Sequence, residues 1–237
     1  MNIIPPGKLG TGLLIEYDAG HISPSESNNQ RILKEMKDNT VQSGPINFYA
    51  ILQKCGIENR NGRVYPKDIL HREVDRYQTL IKQGRALSEL NHPESSLVDL
   101  ERTSHRVTET FWEGDTLMGK IEILTSPAYH KNGIVTCMGD IAANLLRYGV
   151  TLGISSRGVG SLKKENGQNV VQEDFELICF DLVSSPSTPG AYLFKDLKDK
   201  SLYDESLEEK EITNDMTKTL NPSLRLMNKL DGYLNGN

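Results

Sequence analysis

A serine, a histidine and an aspartate stand in short stretches of this sequence whose composition sets them apart. Ser155 lies in TLGISSRGVGSL, starting at Thr151, between Gly153 and the pair Gly158 and Gly160. A turn needs fewer residues than this, and a buried strand carries fewer polar ones. The spacing fits neither common template. A nucleophile elbow needs G-x-S-x-G, but Arg157 follows Ser155 by two places and Ile154 precedes Ser156 by two. A phosphate-cradling loop ends in Gly-Lys-Ser/Thr, and none follows here. Two readings stay open: a strand end with a glycine bulge whose serines bond local backbone, or a nucleophile segment.

His92 sits in LNHPES, where Pro93 pushes it out of the helical region toward extended backbone. A lone histidine there is commonly just an exposed loop residue. His105 lies on a hairpin arm and can face the core; His21, His71 and His130 carry weaker signals. Asp181 interrupts the apolar run LICFDLV. An acid costs several kcal/mol in such a strand unless it is paired or solvated. By period two it shares a face with Cys179 and Val183, opposite Phe180 and Leu182. If only the Phe180 face is covered, Asp181 points to solvent; if both are, it needs a partner such as a histidine N–H.

Together these types could form a proton relay. A serine hydroxyl needs an imidazole within hydrogen-bond reach to become a nucleophile at neutral pH. The imidazole in turn needs an acceptor on its other nitrogen. Backbone N–H groups near Arg157 and Gly158 could receive the oxyanion, and Gly158 and Gly160 would let the chain approach a substrate closely. The order His, Ser, Asp differs from those of chymotrypsin, subtilisin and the α/β-hydrolases.

The elements that must position these groups fall between about 45 and 195. INFYAILQ (46–53) has strand composition, and apolar residues from Lys67 to Gln83 recur at helical spacing, with Gly84 as a stop. SHRVTETFW and TLMGKIEIL flank Glu113-Gly114-Asp115 as a β-hairpin. A helix spans 140–147, ended by Gly149. TLGISSRG, QNVVQEDFEL and LICFDLV read as strands, with a turn at KENGQ. The expected fold is α+β, a mostly antiparallel β-barrel or sheet with surrounding helices. Residues 1–44 read as an N-terminal arm and 196–237 as a charged tail.

The bulk figures narrow the function class. Twenty-seven Lys and Arg against 32 Asp and Glu give a net charge of −5, which argues against a dedicated nucleic-acid binder. Three widely spaced cysteines without a CxxC pair suggest neither a disulfide framework nor a metal site. The start, MNIIPPGKLG, lacks a signal-peptide layout, and no apolar run approaches the ~20 residues of a membrane helix. A soluble intracellular protein, with no cofactor and no membrane partner, is expected.

NRNGRVYPKDIL (59–70), ELNHP (89–93), GISSRGVGSL (153–162) and FDLVSSPSTPGA (180–191) resemble the prohead core protease family of large contractile-tailed phages. The similarity runs from about Ile46 to Leu193. It implies a serine endopeptidase with a herpesvirus assemblin-like fold, acting inside the prohead within the host cytoplasm. There it would degrade scaffold and core proteins, trim the major capsid protein and process itself, as a homo-oligomer. The resemblance places the nucleophile on Ser155 and the histidine on His92; the matching acid in the last strand is Asp181. Such proteases often cut after Glu in a Leu/Ile-x-Glu context, which Leu207-Glu208-Glu209 fits. A glutamate pocket would need a cation, with Arg157, Arg102 and Arg106 as candidates. The rival from another class is a non-catalytic capsid or tube-like structural protein on the same fold. It would keep the sheet and leave the three side chains apart.

Overall fold

Strands supply most of the framework. A computed structural model describes residues 45–200, and 12–15 and 201–203 as backbone. The 1–44 arm apart from 12–15, the tail beyond Tyr203, and the suggested cut after Glu209 lie outside the described residues. The strands are β1 (Gly12–Ile15), β2 (Ile46–Lys54), β3 (Arg63–Val64), β4 (Leu87–Glu89), β5 (Thr103–Glu113) and β6 (Thr116–Ile123). They continue with β7 (Gly153–Gly160), β8 (Leu162–Glu165), β9 (Gln168–Val171), β10 (Glu176–Val183) and β11 (Leu193–Phe194). Helices α1 (Lys67–Lys82), α2 (Pro127–Asn132) and α3 (Met138–Arg147) and a 3-10 turn, Leu197–Tyr203, complete the set.

Three sheets result, with strand orders β1-β7-β10, β11-β2-β6-β5-β4 and β3-β9-β8. All ladders are antiparallel except β3 with β9. The expected hairpin is β5–β6, turning at Gly114 with φ +60°. The KENGQ turn is the tip of β8–β9, where Asn166 and Gly167 both take positive φ, the Asn-Gly chemistry of a tight hairpin. The first two sheets touch through single bridges, Leu90 to Leu182 and Gly153 to Tyr192. Among the described residues no ladder closes a barrel, so the barrel alternative is corrected to a mixed α/β fold built mostly of open sheets.

Helix α1 forms where the apolar spacing places it and buries Ile69, Leu70, Val74 and Tyr77. Tyr77 meets Phe180 of β10 edge to face at 5.3 Å. A buried acid on the same helix face, Glu73, accepts from the Leu177 amide at 3.1 Å and pairs with Arg72 and Arg76. That contact pins α1 to the bulge between Leu177 and Cys179 in β10. Helix α2 is an element that periodicity does not reveal, being six residues long. It is set by its caps: Ser126 accepts from the Tyr129 amide, Pro127 opens the helix, and left-handed Gly133 ends it.

Residues 12–15, read as part of an arm, pair with β7 from Gly12–Gly160 to Ile15–Arg157. Strand β7 therefore lies between β1 and β10 and is buried nearly throughout. This explains its glycines. A Cβ on Gly158 would stand 2.4 Å from the Phe175 ring and 2.7 Å from the Glu176 carbonyl oxygen. One on Gly160 would meet the Phe175 backbone at 2.9 Å. The alternate glycines make room for Phe175 and the start of β10; the expected opening toward a substrate is not what they provide.

Candidate active site

Strands β7 and β10 run side by side with Ser155 opposite Asp181, Arg157 opposite Cys179, Ser156 opposite Phe180 and Ile154 opposite Leu182. Alternation then sorts the side chains. Ser155, Arg157, Cys179 and Asp181 share one face, while Ser156 and Phe180 share the other. Both faces of β10 are covered, with Cys179, Phe180, Asp181 and Leu182 all buried. The solvent-facing alternative for Asp181 is thereby removed, and the carboxylate has to find partners.

The chain after β4 delivers one. Beyond Glu89, Leu90 bridges Leu182 and the Asn91 amide donates to the Leu182 carbonyl at 2.7 Å. Asn91 then turns the chain at φ +73°, a left-handed conformation asparagine tolerates better than most residues. Pro93 restricts His92 from the other side. The imidazole comes back over β10 with Nδ1 2.8 Å from Asp181 Oδ2, and its side chain is only 4% exposed. The structure thus joins His92 to Asp181 and sets Ser155 across the ladder from that carboxylate, all on one side of the sheet.

Both Asp181 oxygens are filled. Oδ1 accepts from the Glu89 amide at 2.9 Å, from Cys179 Sγ at 3.3 Å and from Arg157 at 3.3 Å. Oδ2 receives His92 and Arg157 Nε, the latter at 2.9 Å. Burial pushes the Asp181 carboxyl up, but the His92 bond and charge, the Arg157 charge and the Glu89 amide outweigh it and hold it below the usual range. Asp181 is a carboxylate here, and an acceptor fixed in orientation.

Ser156 is placed differently. Its Oγ accepts from Gln53 Nε2 at 3.0 Å, and Gln53 in turn accepts from Thr188 Oγ1 at 2.6 Å. That buried chain lies on the face away from Asp181, a distinction the pair of adjacent serines does not reveal without the strand register. His105 is fully buried on β5, with Nε2 donating to the Phe180 carbonyl at 2.7 Å and Nδ1 2.9 Å from Ser104 Oγ. Burial lowers its pKa to about 4, so it is neutral near pH 7. His71 stacks on Trp112, and His130 contacts Thr125 Oγ1 at 2.6 Å. His21 lies outside the described residues.

Two expectations need correction. Arg157 and Gly158 are paired with Ile15 and Leu14 on one side of β7 and with Cys179 and Leu177 on the other, so neither stands on the free edge that the oxyanion role demanded. Nor are the three arginines idle cations. Arg157 is fully buried against Glu89 and Asp181, Arg102 pairs with Glu89 at 3.2 Å, and Arg106 pairs with Glu122 at 2.9 Å. Glu89 carried no signal in the sequence beyond its place before the Asn-His-Pro turn. Cys55, Cys137 and Cys179 are free thiols. Among the described residues no group of acids, histidines and cysteines forms a metal site, and no helix is long and apolar enough to cross a membrane.

His92 thus bonds Asp181, and Ser155 stands opposite that carboxylate in the ladder; comparison with known proteins gives the class. Residues 24–201 match the model of the prohead core protein serine protease family. The prohead core protein protease of Enterobacteria phage T4 is 37% identical over 148 residues, spanning 60% of this chain and 65% of the T4 protein. A solved structure of the bacteriophage T4 capsid assembly protease, gp21, superposes with a TM-score of 0.58 at 27% identity, covering 74% of this chain and 99% of that one. The chain belongs to the prohead core protein serine protease family.

Proposed function

We propose that the chain is a serine endopeptidase that matures a phage prohead, with Ser155 as nucleophile, His92 as general base and then acid, and Asp181 as the acceptor orienting His92. The observation that carries the reading is the His92–Asp181 contact of 2.8 Å beside a serine that faces Asp181 across the ladder. With Nδ1–H held by Asp181, the unprotonated Nε2 is the nitrogen left to take the hydroxyl proton. Attack by Ser155 Oγ on a peptide carbonyl then gives a tetrahedral oxyanion. His92, now protonated, hands its proton to the leaving amine as the peptide bond breaks. Water, deprotonated by His92, hydrolyses the acyl-serine and returns the serine its proton. No step calls for a metal or cofactor.

The T4 relative is named for the prohead core and the T4 structure for capsid assembly. By that likeness the substrates of this chain are scaffold or core proteins and the major capsid protein, its place is the prohead interior within the host cytoplasm, and its fold is of the assemblin kind. Self-cleavage after Glu209 belongs to the same reading. The test is incubation of wild type and Ser155→Ala with the scaffold protein, read by mass spectrometry. Wild type releases fragments and loses its C-terminal segment. Ser155→Ala folds and is slower by a factor on the order of 10⁴ to 10⁶. Fragment release by the variant at the wild-type rate removes Ser155 from the mechanism and revives the structural-protein rival.

A further inference from the structure

Arg157 and Glu89 are two buried charges that the proposed chemistry leaves without a task. Both are fully buried, and Arg157 is the largest fully buried side chain in the described part of the protein. Its guanidinium reaches five partners at once. Nε lies 2.9 Å from Asp181 Oδ2 and 3.3 Å from Cys179 Sγ, and Nη2 lies 2.8 Å from Glu89 Oε1. Nη1 donates to the Ser95 carbonyl at 2.9 Å and the Leu97 carbonyl at 3.2 Å. Those two carbonyls belong to the loop that begins with His92. Glu89 ties the far end of the same loop, accepting from the Asp99 amide at 2.9 Å and from Arg102 Nε at 3.2 Å.

We infer that Arg157 and Glu89 form a positioning unit that locks the His92 loop onto Asp181, so that two residues past the nucleophile the same strand also fixes the base. The inference rests on the reading of Ser155, His92 and Asp181 as the reacting and orienting groups. Geometry favours it over a general stabilising ion pair. Oδ2 of Asp181 is shared by the imidazole and the guanidinium, so a shift of Arg157 moves the acceptor that His92 uses. A planar fork can serve Asp181, Glu89 and two loop carbonyls together; an ammonium cannot. Displacements of about 1 Å in such an assembly cost on the order of 10²-fold in rate.

The groups that contact Asp181 beside His92 are Arg157 from β7, Cys179 from β10 and the Glu89 amide from β4, with Arg102 reaching the cluster through Glu89. Glu89 is an anion on this list that can be neutralised with little change of shape.

The test uses the full chain with a peptide substrate and two variants, Arg157→Lys and Glu89→Gln, each checked for folding by circular dichroism. The concentration of competent sites is titrated with a fluorophosphonate. Per titrated site, Arg157→Lys lowers kcat about 10²-fold with KM changed less than about threefold. Glu89→Gln keeps the shape but turns an amide donor toward the donors that Glu89 now accepts from, and lowers kcat per site about tenfold with KM changed less than about threefold. Wild-type kcat per site in either variant overturns the inference and leaves the cluster a purely structural one. Ser155→Ala is run alongside. An active Ser155→Ala defeats the underlying reading, whereas an inactive one with two wild-type-like variants defeats this inference alone.

Discussion

Asp181 is a carboxylate withdrawn from water and then surrounded by donors from three other segments, and its properties follow from that exchange. Replacing it by asparagine keeps the shape and removes the charge, and the amide can present its N–H₂ to His92 and favour the wrong tautomer. Asp181→Asn is expected to lower kcat by about 10³- to 10⁴-fold in a peptide-cleavage assay while the fold persists. A loss below tenfold would mean His92 finds its tautomer without this acceptor. Asp181 was legible in the sequence because an acid inside LICFDLV has to be explained. Arg157 was legible as a charge but not as a buried one; its surroundings come from a loop some sixty positions away, and only the fold brings them together.

At the scale of elements, β7 decides what the site can be. It has strands on both sides, and its alternate glycines accept the Phe175 ring and the Glu176 carbonyl. Gly158→Ala forces a methyl against a backbone oxygen that cannot swing away, and a loss of roughly 1–3 kcal/mol is expected by urea unfolding. Unchanged stability would show that β10 can retreat from β7 without penalty. Helix α1 and the β5–β6 hairpin could be read directly, since their periods, 3.6 and 2, are carried by their own residues. The strand-end reading of SSRGVG, and the expectation that its glycines let the chain approach a substrate, miss because β1 and β10 come from distant segments. Register also separates the two serines: Ser155 joins Asp181, and Ser156 joins Gln53.

For the whole molecule, buried ionisable groups set how stability follows pH. His105 is held neutral in the fold with a pKa of about 4, against about 6.5 for a free histidine. Between those values the unfolded chain binds a proton that the folded chain does not, so stability is complete above about pH 6.5 and is lost as the pH falls toward 4. The contribution is on the order of 3 kcal/mol over that window. Asp140 adds a second, lower window. Burial raises it, but bonds from Ser126 and Thr136 bring it down to about 2, so its contribution is present above about pH 4 and lost as the pH falls through 2. Thermal melts should therefore show a midpoint that falls from pH 7 to pH 4, and His105→Gln should flatten that slope. A wild-type midpoint constant across the window would contradict a buried neutral His105. The sheet arrangement at this scale was legible only as a class. Strand composition predicts antiparallel pairing, but whether the ladders close depends on single bridges such as Leu90–Leu182, which leave no mark in the pattern.

The most direct measurement of the central claim is site mapping after reaction with a fluorophosphonate, by tryptic mass spectrometry. One adduct is expected, on Ser155, formed at the wild-type rate in Ser156→Ala and slowed at least 10²-fold in His92→Ala. An adduct on Ser156, or labelling of Ser155 that is indifferent to the loss of His92, would contradict it.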